Sequence, residues 1–295
     1  MPNLKEVRIR INSVKSTKQI TSAMKMVAAS KLRRAQNAIL NMRPFAEKLH
    51  HIMQDLSADL DGSDEGVYSA DRGDDKVLLI AITSNRGLCG AFNANVVKST
   101  LNLIKDKYAA QNAKGGVKVM CIGKKGADSM KSAGITPVEI NNDIFDDLTF
   151  ENAVPIAEHL MKQFVDKDYD RIVLIYNQFK NAASQILMEE QFLPVVEADK
   201  DEENTDASSA NYIFEPNKEE ILEALVPKAI KVQLYKALLD SFASEHGARM
   251  TAMHKATENA DELLKDLNLT YNKARQAAIT NEILEIVGGA EALNN

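Results

Sequence analysis

The N-terminal part of the chain contains almost nothing that could interrupt a helix. From Asn3 to Asp61 there is no glycine, and the single proline is Pro44. Because residues of high helix propensity predominate, this stretch predicts one helix of about 57 residues, roughly 85 Å long. A rod of that length cannot be buried inside a compact domain, so it needs a partner along its length. Pro44 predicts a bend in this helix rather than its end.

Apolar or small residues recur along this predicted helix about every 3.5 residues, which is the period of a coiled coil. A stripe this narrow predicts contact with one partner helix. The predicted stripe consists of Leu4, Val7, Ile11, Val14, Thr17, Thr21, Met24, Ala28, Leu32, Ala35, Ile39, Met42, Ala46, Leu49, Met53, Leu56 and Leu60.

The net charge of −6 over 295 residues conceals an asymmetry. Residues 1–50 carry 11 basic and 2 acidic residues, a net of +9, whereas residues 51–214 and 215–295 carry −11 and −4. This pattern indicates an acidic partner, a solvated helix face, or both. Nucleic acid is disfavoured, because no aromatic residue before Phe45 offers a stacking surface. The basic residues expected between the stripe positions are Arg8, Arg10, Lys15, Lys18, Lys25, Lys31, Arg33 and Arg34.

The C-terminal part predicts a second helix of about 70 residues, roughly 105 Å long. Asn217 is placed as an N-cap with Glu220 in capping-box spacing, and Gly288-Gly289 as the C-terminal cap. Pro227 predicts a kink or a short preceding helix, and Gly247 a weak point in the middle. The predicted inner face consists of Ala248, Ala252, Ala256, Ala260, Leu263 or Leu264, Leu267, Tyr271, Ala274 and Ala278.

From Ala256 to Ala278 this inner face has a mean spacing of about 3.67 residues, which favours a nearly straight helix. Small residues on both helices allow their axes to approach closely, so the two ends of the chain are expected to form an antiparallel coiled coil. The longer second helix would then overhang. Its end, residues 277–293, contains no basic residue. An unpaired apolar tip of this kind needs a covering partner.

The residues between the two helices predict an α/β domain. Apolar runs at Lys76–Thr83, Val117–Ile122, Arg171–Phe179 and Gln185–Val196 alternate with helical stretches near Asn93–Asn112, Lys124–Ala133 and Glu151–Asp166. This order favours a mostly parallel sheet whose last two strands are antiparallel. Acidic linkers are predicted at Asp61–Asp75 and Ala198–Asn211.

The fold class is therefore α/β plus a long coiled coil, with antiparallel N- and C-terminal helices and a central Rossmann-like α/β domain. The predicted domains are residues 1–61, 62–214 and 215–295.

No catalytic constellation emerges from the sequence. Ser84–Gly90 and Gly123–Gly126 stand where phosphate-binding loops occur, but they lack the P-loop and dinucleotide patterns, and tight strand-to-helix turns are the better interpretation. The five histidines show no metal-ligand spacing, so neither a metal nor a cofactor is expected. Cys89 and Cys121 follow apolar runs and are expected to be reduced structural thiols of an intracellular protein. No apolar run reaches the length of a membrane span.

Three segments resemble the gamma subunit of F-type ATP synthase, of the bacterial type. They are QITSAMKMVAASKLRRAQ at Gln19–Gln36, SNRGLCGAFN at Ser84–Asn93, and Ala248–Ala290, which begins ARMTAMHKATENADELL and ends EILEIVGGA. The resemblance covers essentially the whole chain. It implies a non-catalytic central-stalk rotor that couples proton flow to ATP synthesis or hydrolysis by the alpha and beta subunits.

The resemblance also implies partners and contact residues. The partners are the hexamer of alpha and beta subunits, the epsilon subunit and the c-subunit ring, and the location is the cytoplasmic face of the bacterial inner membrane. Family positions at the rotor–stator contact match Met24, Lys25, Arg275, Gln276, Thr280 and Glu282, and the basic pair Arg33 and Arg34 is expected to join them. Core packing for Met24 and a solvated face for Lys25 are the structural alternatives.

The sequence departs from the family pattern at His246-Gly247, which stands where small or polar helix formers are expected. That departure puts the local stiffness of the shaft in question. A competing interpretation of the whole chain is an independent coiled-coil adaptor carrying a nucleotide-binding α/β domain.

Overall fold

A computed structural model describes residues 4–58, 67–195 and 218–294. The chain divides into two compact units. One, the coiled-coil unit, comprises Met1–Ala29 and Arg249–Asn295; the other, the head unit, comprises Ser30–Ala248. The boundaries predicted at residues 61/62 and 214/215, and the linker at Ala198–Asn211, lie outside the described residues.

Two long helices carry the ends of the described chain. Helix α1 is Leu4–Ala58, 55 residues, and it continues through Pro44. Helix α6 is Lys218–Asn294, 77 residues, and Pro227 lies inside it without dividing it. The predicted N-cap Asn217 lies outside the described residues. None of the helices described is both long and apolar enough to cross a membrane.

The predicted C-terminal cap at Gly288-Gly289 is wrong, because α6 passes through both glycines to Asn294. A glycine pair costs roughly 2 kcal/mol of helix propensity but does not forbid helical dihedrals. The good helix formers Ala290-Glu291-Ala292-Leu293 follow directly, and no proline stops the chain.

The head unit is built on a five-stranded sheet in the order β3-β2-β1-β4-β5. The strands β1–β5 are Val77–Ile82, Val117–Ile122, Glu139–Asn141, Arg171–Phe179 and Gln185–Leu193. Strands β1 to β4 pair in parallel, and β4 pairs with β5 in antiparallel fashion. The mostly parallel sheet with an antiparallel last pair is confirmed, whereas the three-residue strand β3 was not predicted.

Shorter helices connect the strands. Helices α2–α5 are Phe92–Asn102, Ala109–Ala113, Lys124–Ser132 and Phe150–Val165, and a π-helical turn at Leu103–Lys107 separates α2 from α3. The predicted helix at Asn93–Asn112 is thus interrupted. The π turn ends at Tyr108, whose backbone N–H donates to Leu103 and whose side chain is fully buried. Burial of this tyrosine holds the irregular turn in place.

Both faces of the sheet are buried, as expected for parallel strands. Leu78, Ile80 and Ile82 of β1 pack on one side with α5 and with the segment of α6 from Ile230 to Leu238. Alternate residues of β1, including Leu79, pack on the other side with α2 and α4. Helix α6 is therefore part of the head unit's core before it enters the coiled-coil unit.

The His246-Gly247 pair lies where α6 packs against the turn between β4 and β5. An ideal Cβ on Gly247 would lie 3.2 Å from Ala182 Cα and 3.3 Å from the Ala182 carbonyl oxygen. The His246 side chain is buried, with its ring 4.5 Å from that of Phe242 in an edge-on arrangement. The glycine thus permits a close approach of helix and turn.

Candidate functional site

The coiled-coil unit contains an antiparallel helix pair whose register is set by four cross-helix contacts. Each contact joins an α1 residue to an α6 residue, and the two residue numbers add up to 278 or 279 in every case, which defines an antiparallel register. The contacts are Arg8 Nη2 to Tyr271 Oη at 2.7 Å, Lys18 Nζ to Asp261 Oδ1, Thr21 Oγ1 to Thr257 Oγ1 at 2.8 Å, and Lys25 Nζ to His254 Nδ1 at 3.3 Å. The predicted antiparallel coiled coil is confirmed.

Within the coiled-coil unit, the burial of described α1 residues follows the predicted stripe with one shift. The stripe positions Ala46, Met53, Leu56 and Leu60 lie outside the side chains that the structure describes. Val7, Thr21 and Ala28 are buried, but Thr17 is exposed, and Lys18 takes its place at the seam. A stripe defined by apolar or small residues includes Thr17 and excludes Lys18. The sequence alone does not show that Asp261 pairs with Lys18 at the seam. Lys18 is therefore not part of an outward-facing cationic flank.

Burial on α6 corrects the predicted inner face. Met253, Ala260 and Leu267 are buried and Leu264, Tyr271 and Ala274 are half-buried, whereas Ala278 is exposed. From Ala260 to Ala274 the steps are four, three, four and three residues, a heptad period of 3.5. The predicted period near 3.67 is wrong, because it started the count four residues earlier, at Ala256, and included the exposed Ala278.

A pair of hydroxyl groups lies inside this seam. Thr257 Oγ1 donates to the Met253 carbonyl at 2.8 Å, so its oxygen is left to accept from the Thr21 hydroxyl. Thr21 is buried, and its hydroxyl lies 3.0 Å from the Lys18 carbonyl oxygen. These short side chains satisfy their own polar groups and keep the two helices close.

Six of the eight predicted contact residues lie at two levels of the coiled-coil unit. Met24 and Lys25 are half-buried on α1, and Lys25 Nζ contacts His254. Arg275, Gln276, Thr280 and Glu282 are exposed on α6, where the Thr280 hydroxyl donates to the Gln276 carbonyl at 2.9 Å. His254 and Arg275 are 21 residues apart, about 30 Å along the helix axis. The two groups therefore lie at two separate levels of the helix pair rather than in one cluster.

Five further basic residues of α1 are exposed. Arg10 and Lys15 in the coiled-coil unit, and Lys31, Arg33 and Arg34 in the head unit, make no hydrogen bond or ion pair with any part of the chain that the structure describes. Their charges are available to an external partner. Sequence reasoning identified these residues but could not separate them from Arg8, Lys18 and Lys25, which contact α6.

The end of α6 is an unpaired helix. All residues from Ala278 to Ala290 are exposed, and Ile283 and Ile286 expose 54% and 66% of their surface. Ile279, Ile283 and Ile286 follow one another at steps of four and three residues, so they line one face. The predicted overhanging apolar tip is confirmed over these residues.

The loop at Gly123–Gly126, one of the two positions where a phosphate could bind, lies at the N-terminus of α4. The first free backbone N–H groups of a helix are the usual phosphate ligands. Here the N–H of Lys124 donates to Asn85 Oδ1 at 3.0 Å, that of Lys125 to the Ser84 carbonyl at 3.0 Å, and that of Gly126 to Thr83 Oγ1 at 2.9 Å. The chain's own groups occupy all three donors.

The neighbouring loop at Ser84–Gly90 is also closed by internal hydrogen bonds. Asn93 Oδ1 accepts from the backbone N–H of Ser84 at 2.9 Å, and Asn93 Nδ2 donates to Ser84 Oγ at 2.8 Å. Leu88 and Gly90 have positive φ values of 62° and 60°, as a tight turn requires. Both loops are tight strand-to-helix turns.

The two thiols lie in this part of the head unit and are buried. Burial raises the pKa of Cys121 to about 12, and the charge of Lys131 opposes this only in part. A thiol of such high pKa is a poor nucleophile. Within residues 4–58, 67–195 and 218–294 no three His, Cys, Asp or Glu side chains are grouped to hold a metal ion.

Comparison with known proteins gives one consistent family. Residues 3–293 match the family model ATP-synt, described as ATP synthase. The ATP synthase gamma chains of Flavobacterium johnsoniae and Christiangramia forsetii are 60% and 58% identical over 294 residues, with 100% of this chain and of the relative covered. That of Chlorobaculum parvum is 45% identical over 293 residues, 99% of each chain.

Solved structures share the fold. The rotor of the Euglena gracilis mitochondrial ATP synthase aligns with a TM-score of 0.67 at 24% identity, over 94% of this chain and 98% of that one. The central stalk and c-ring structure of the Tetrahymena thermophila mitochondrial ATP synthase includes a chain with a TM-score of 0.56 at 27% identity, over 80% of this chain and 99% of that one.

Proposed function

The chain belongs to the family of ATP synthase gamma chains, and we propose that its coiled-coil unit is the shaft that turns inside the ring of alpha and beta subunits. The chain is a non-catalytic subunit, and the chemistry of ATP belongs to the beta subunits. Proton flow through the c ring turns the shaft. Each beta site then faces a different side of the shaft in succession, so its affinity for nucleotide changes in step with rotation.

The observation that carries this proposal is the unpaired tip of α6. An exposed helix with Ile279, Ile283 and Ile286 on one face requires a sheath. The tip contains no Lys or Arg, so an apolar sleeve around it has no buried ion pair to break as the shaft turns. An apolar surface around such a tip can hold it in place without favouring one rotational angle of the shaft.

The exposed basic residues fit weak, repeated contacts with acidic loops of the beta subunits. Arg33 and Arg34 are exposed and make no hydrogen bond or ion pair with the described residues of their own chain. Exposed ion pairs contribute about 0–1 kcal/mol each, enough to favour some angles without locking the rotor. We place Arg33, Arg34, Met24 and Lys25 in this contact.

A second contact level lies about 30 Å further along α6. Arg275, Gln276, Thr280 and Glu282 form it, at the point where the coiled coil gives way to the single helix. Their polar side chains flank the start of the apolar stripe. This level lies inside the sleeve, whereas the first lies nearer its entrance.

The head unit would carry the remaining contacts, with the epsilon subunit and the c-subunit ring. Through them the chain is a peripheral component of the membrane complex, on the cytoplasmic face of the bacterial inner membrane. Inverted membrane vesicles test this location: the chain should remain bound to them and be digested by added protease. Full protection from protease would contradict it.

A charge-reversal experiment tests the coupling role. Arg33→Glu combined with Arg34→Glu should lower proton-driven ATP synthesis by the assembled complex, while the alpha–beta sites still hydrolyse ATP. Lys114→Glu, an exposed change in the head unit, is the matched control. Unchanged synthesis in the double variant would contradict the contact. Isolation of the complex with a ratio other than one copy of this chain to three alpha and three beta subunits would contradict the function itself.

A further inference from the structure

The burial of α6 in the helix pair stops at a defined position. Residues in contact across the pair have numbers adding up to 278 or 279, so Leu4, the first residue of α1 that the structure describes, lies opposite Arg275. Tyr271, Ala274 and Ala277 are half-buried, whereas every residue from Ala278 to Ala290 is exposed.

Arg8 and Tyr271 make a polar contact close to this level. The Arg8 guanidinium donates to the Tyr271 hydroxyl at 2.7 Å, and its carbon lies 5.6 Å from the centre of the tyrosine ring. One side chain thus both donates a hydrogen bond and contacts the ring face, so it resists rotation and separation of the two helices.

The apolar face of the tip does not continue the seam. The seam residues Leu267, Tyr271 and Ala274 would be followed in heptad register by Ala278, which is exposed. The tip stripe instead starts at Ile279, one residue later, and continues through Ile283 and Ile286. One residue corresponds to about 100° of rotation around a helix. The direction of the tip's apolar face therefore depends on how α6 leaves the pair.

We propose that Arg8 and Tyr271 are positioning residues that clasp α6 at the end of the coiled coil and so set the angle at which the tip presents its apolar face. This role rests on the proposed function and adds a part to it. Without the clasp, the last turns of the pair separate, and the point where α6 becomes a single helix moves toward Leu267. Rotation of the shaft is then transmitted less faithfully to the sleeve.

Hydrogen–deuterium exchange on the full isolated chain tests the clasp independently of function. Arg8→Ala should speed amide exchange at residues 268–278 about 3- to 10-fold, the effect expected for losing an exposed charge-assisted hydrogen bond and a ring contact. Arg8→Lys should restore part of the protection. Tyr271→Phe, which keeps the ring, should give an intermediate rate.

Lys18→Ala is the matched control, since it removes the Lys18–Asp261 pair ten residues further from the end. It should leave exchange at residues 268–278 unchanged. Wild-type exchange in Arg8→Ala would overturn the clasp, and so would an equal increase in Lys18→Ala.

The coupling ratio of the assembled complex tests whether Arg8 and Tyr271 position the tip of α6. Arg8→Ala should lower the ratio of ATP made to protons transported about 2- to 5-fold, consistent with loss of one exposed contact, and Arg8→Lys should recover it. ATP hydrolysis and subunit ratio should stay at wild-type values. Unchanged coupling despite faster exchange would overturn the positioning role while leaving the rotor function intact. A complex that lacks the chain would instead overturn the rotor function.

Discussion

Gly247 gives a direct test of how the head unit holds α6. Its ideal Cβ would lie 3.2 Å and 3.3 Å from backbone atoms of Ala182 and 3.4 Å from Phe179 Cε2. Backbone atoms of a turn between two paired strands cannot move aside as a flexible side chain would. Gly247→Leu therefore forces either the helix or the turn to shift, whereas Gly247→Ala requires a displacement of a few tenths of an ångström.

Two opposing free energies set how much Gly247→Leu changes the stability of the chain. Replacing a helical glycine with leucine gains about 0.8 kcal/mol of helix propensity. Overpacking a close contact costs about 1–3 kcal/mol. The expected net effect of Gly247→Leu is a loss of about 0.2–2.2 kcal/mol, which lowers the melting temperature of a unit of this size by up to about 9 °C. For Gly247→Ala the two terms nearly cancel.

Thermal and urea unfolding of the full chain measure this effect. Gly288→Leu is the matched control, because Gly288 lies in the same helix with nothing within 4 Å of its ideal Cβ. Because it gains helix propensity without a close contact, it should leave the melting temperature unchanged or raise it slightly. A Gly247→Leu variant as stable as wild type would refute the close packing of α6 on the β4–β5 turn.

Three further predictions concern the head unit and the tip. Thr83→Val should cost about 1–3 kcal/mol in urea unfolding, because the Gly126 N–H loses its buried acceptor; Thr83→Ser should retain most of the stability, and equal losses in both would contradict this account. Cys121, with its pKa raised to about 12 by burial, should resist a thiol reagent at pH 8 until the chain unfolds. In the unfolded chain the Cys121 thiol ionises near its ordinary pKa of 9, before it does so in the folded chain. Its ionisation should therefore lower the free energy of unfolding as the pH rises from 9 to 12. A Cys121→Ala variant whose free energy of unfolding falls equally steeply over this pH range would argue against this. Ile283→Asp should leave unfolding of the isolated chain unchanged and weaken its assembly with alpha and beta subunits, whereas wild-type assembly would show that the tip is not sheathed by an apolar surface.

Much of the architecture is predictable because its signals are local and periodic. The breaker-free stretch before Asp61 predicts α1, and the apolar runs at Val77–Ile82 and Val117–Ile122 predict central strands. Strand β3 is missed because three residues at a sheet edge carry too little periodicity to detect. The π turn after α2 is missed for a different reason: burial of Tyr108, which the local sequence does not reveal, maintains it.

The sequence predicts candidate contact residues, but it does not predict how they are arranged. The cationic stretch of α1 is evident in the sequence, yet only the register separates Arg33 and Arg34, which are exposed, from Lys18, which contacts Asp261. Likewise, Tyr271 looks like an ordinary seam residue until Arg8 is placed opposite it. No single-sequence pattern pairs residues 263 positions apart.

The sequence by itself determined that two long helices flank an α/β domain and that the final helix ends in an apolar, basic-free tip, because helix propensity, hydrophobic period and charge are properties of neighbouring residues. The tertiary structure decided which residues face one another. It placed Lys18 at the seam instead of Thr17, carried α6 through Gly288-Gly289, and left α6 exposed from Ala278 to Ala290. The reason is physical: an antiparallel register is fixed by contacts between distant segments, and these form only when the whole chain is folded.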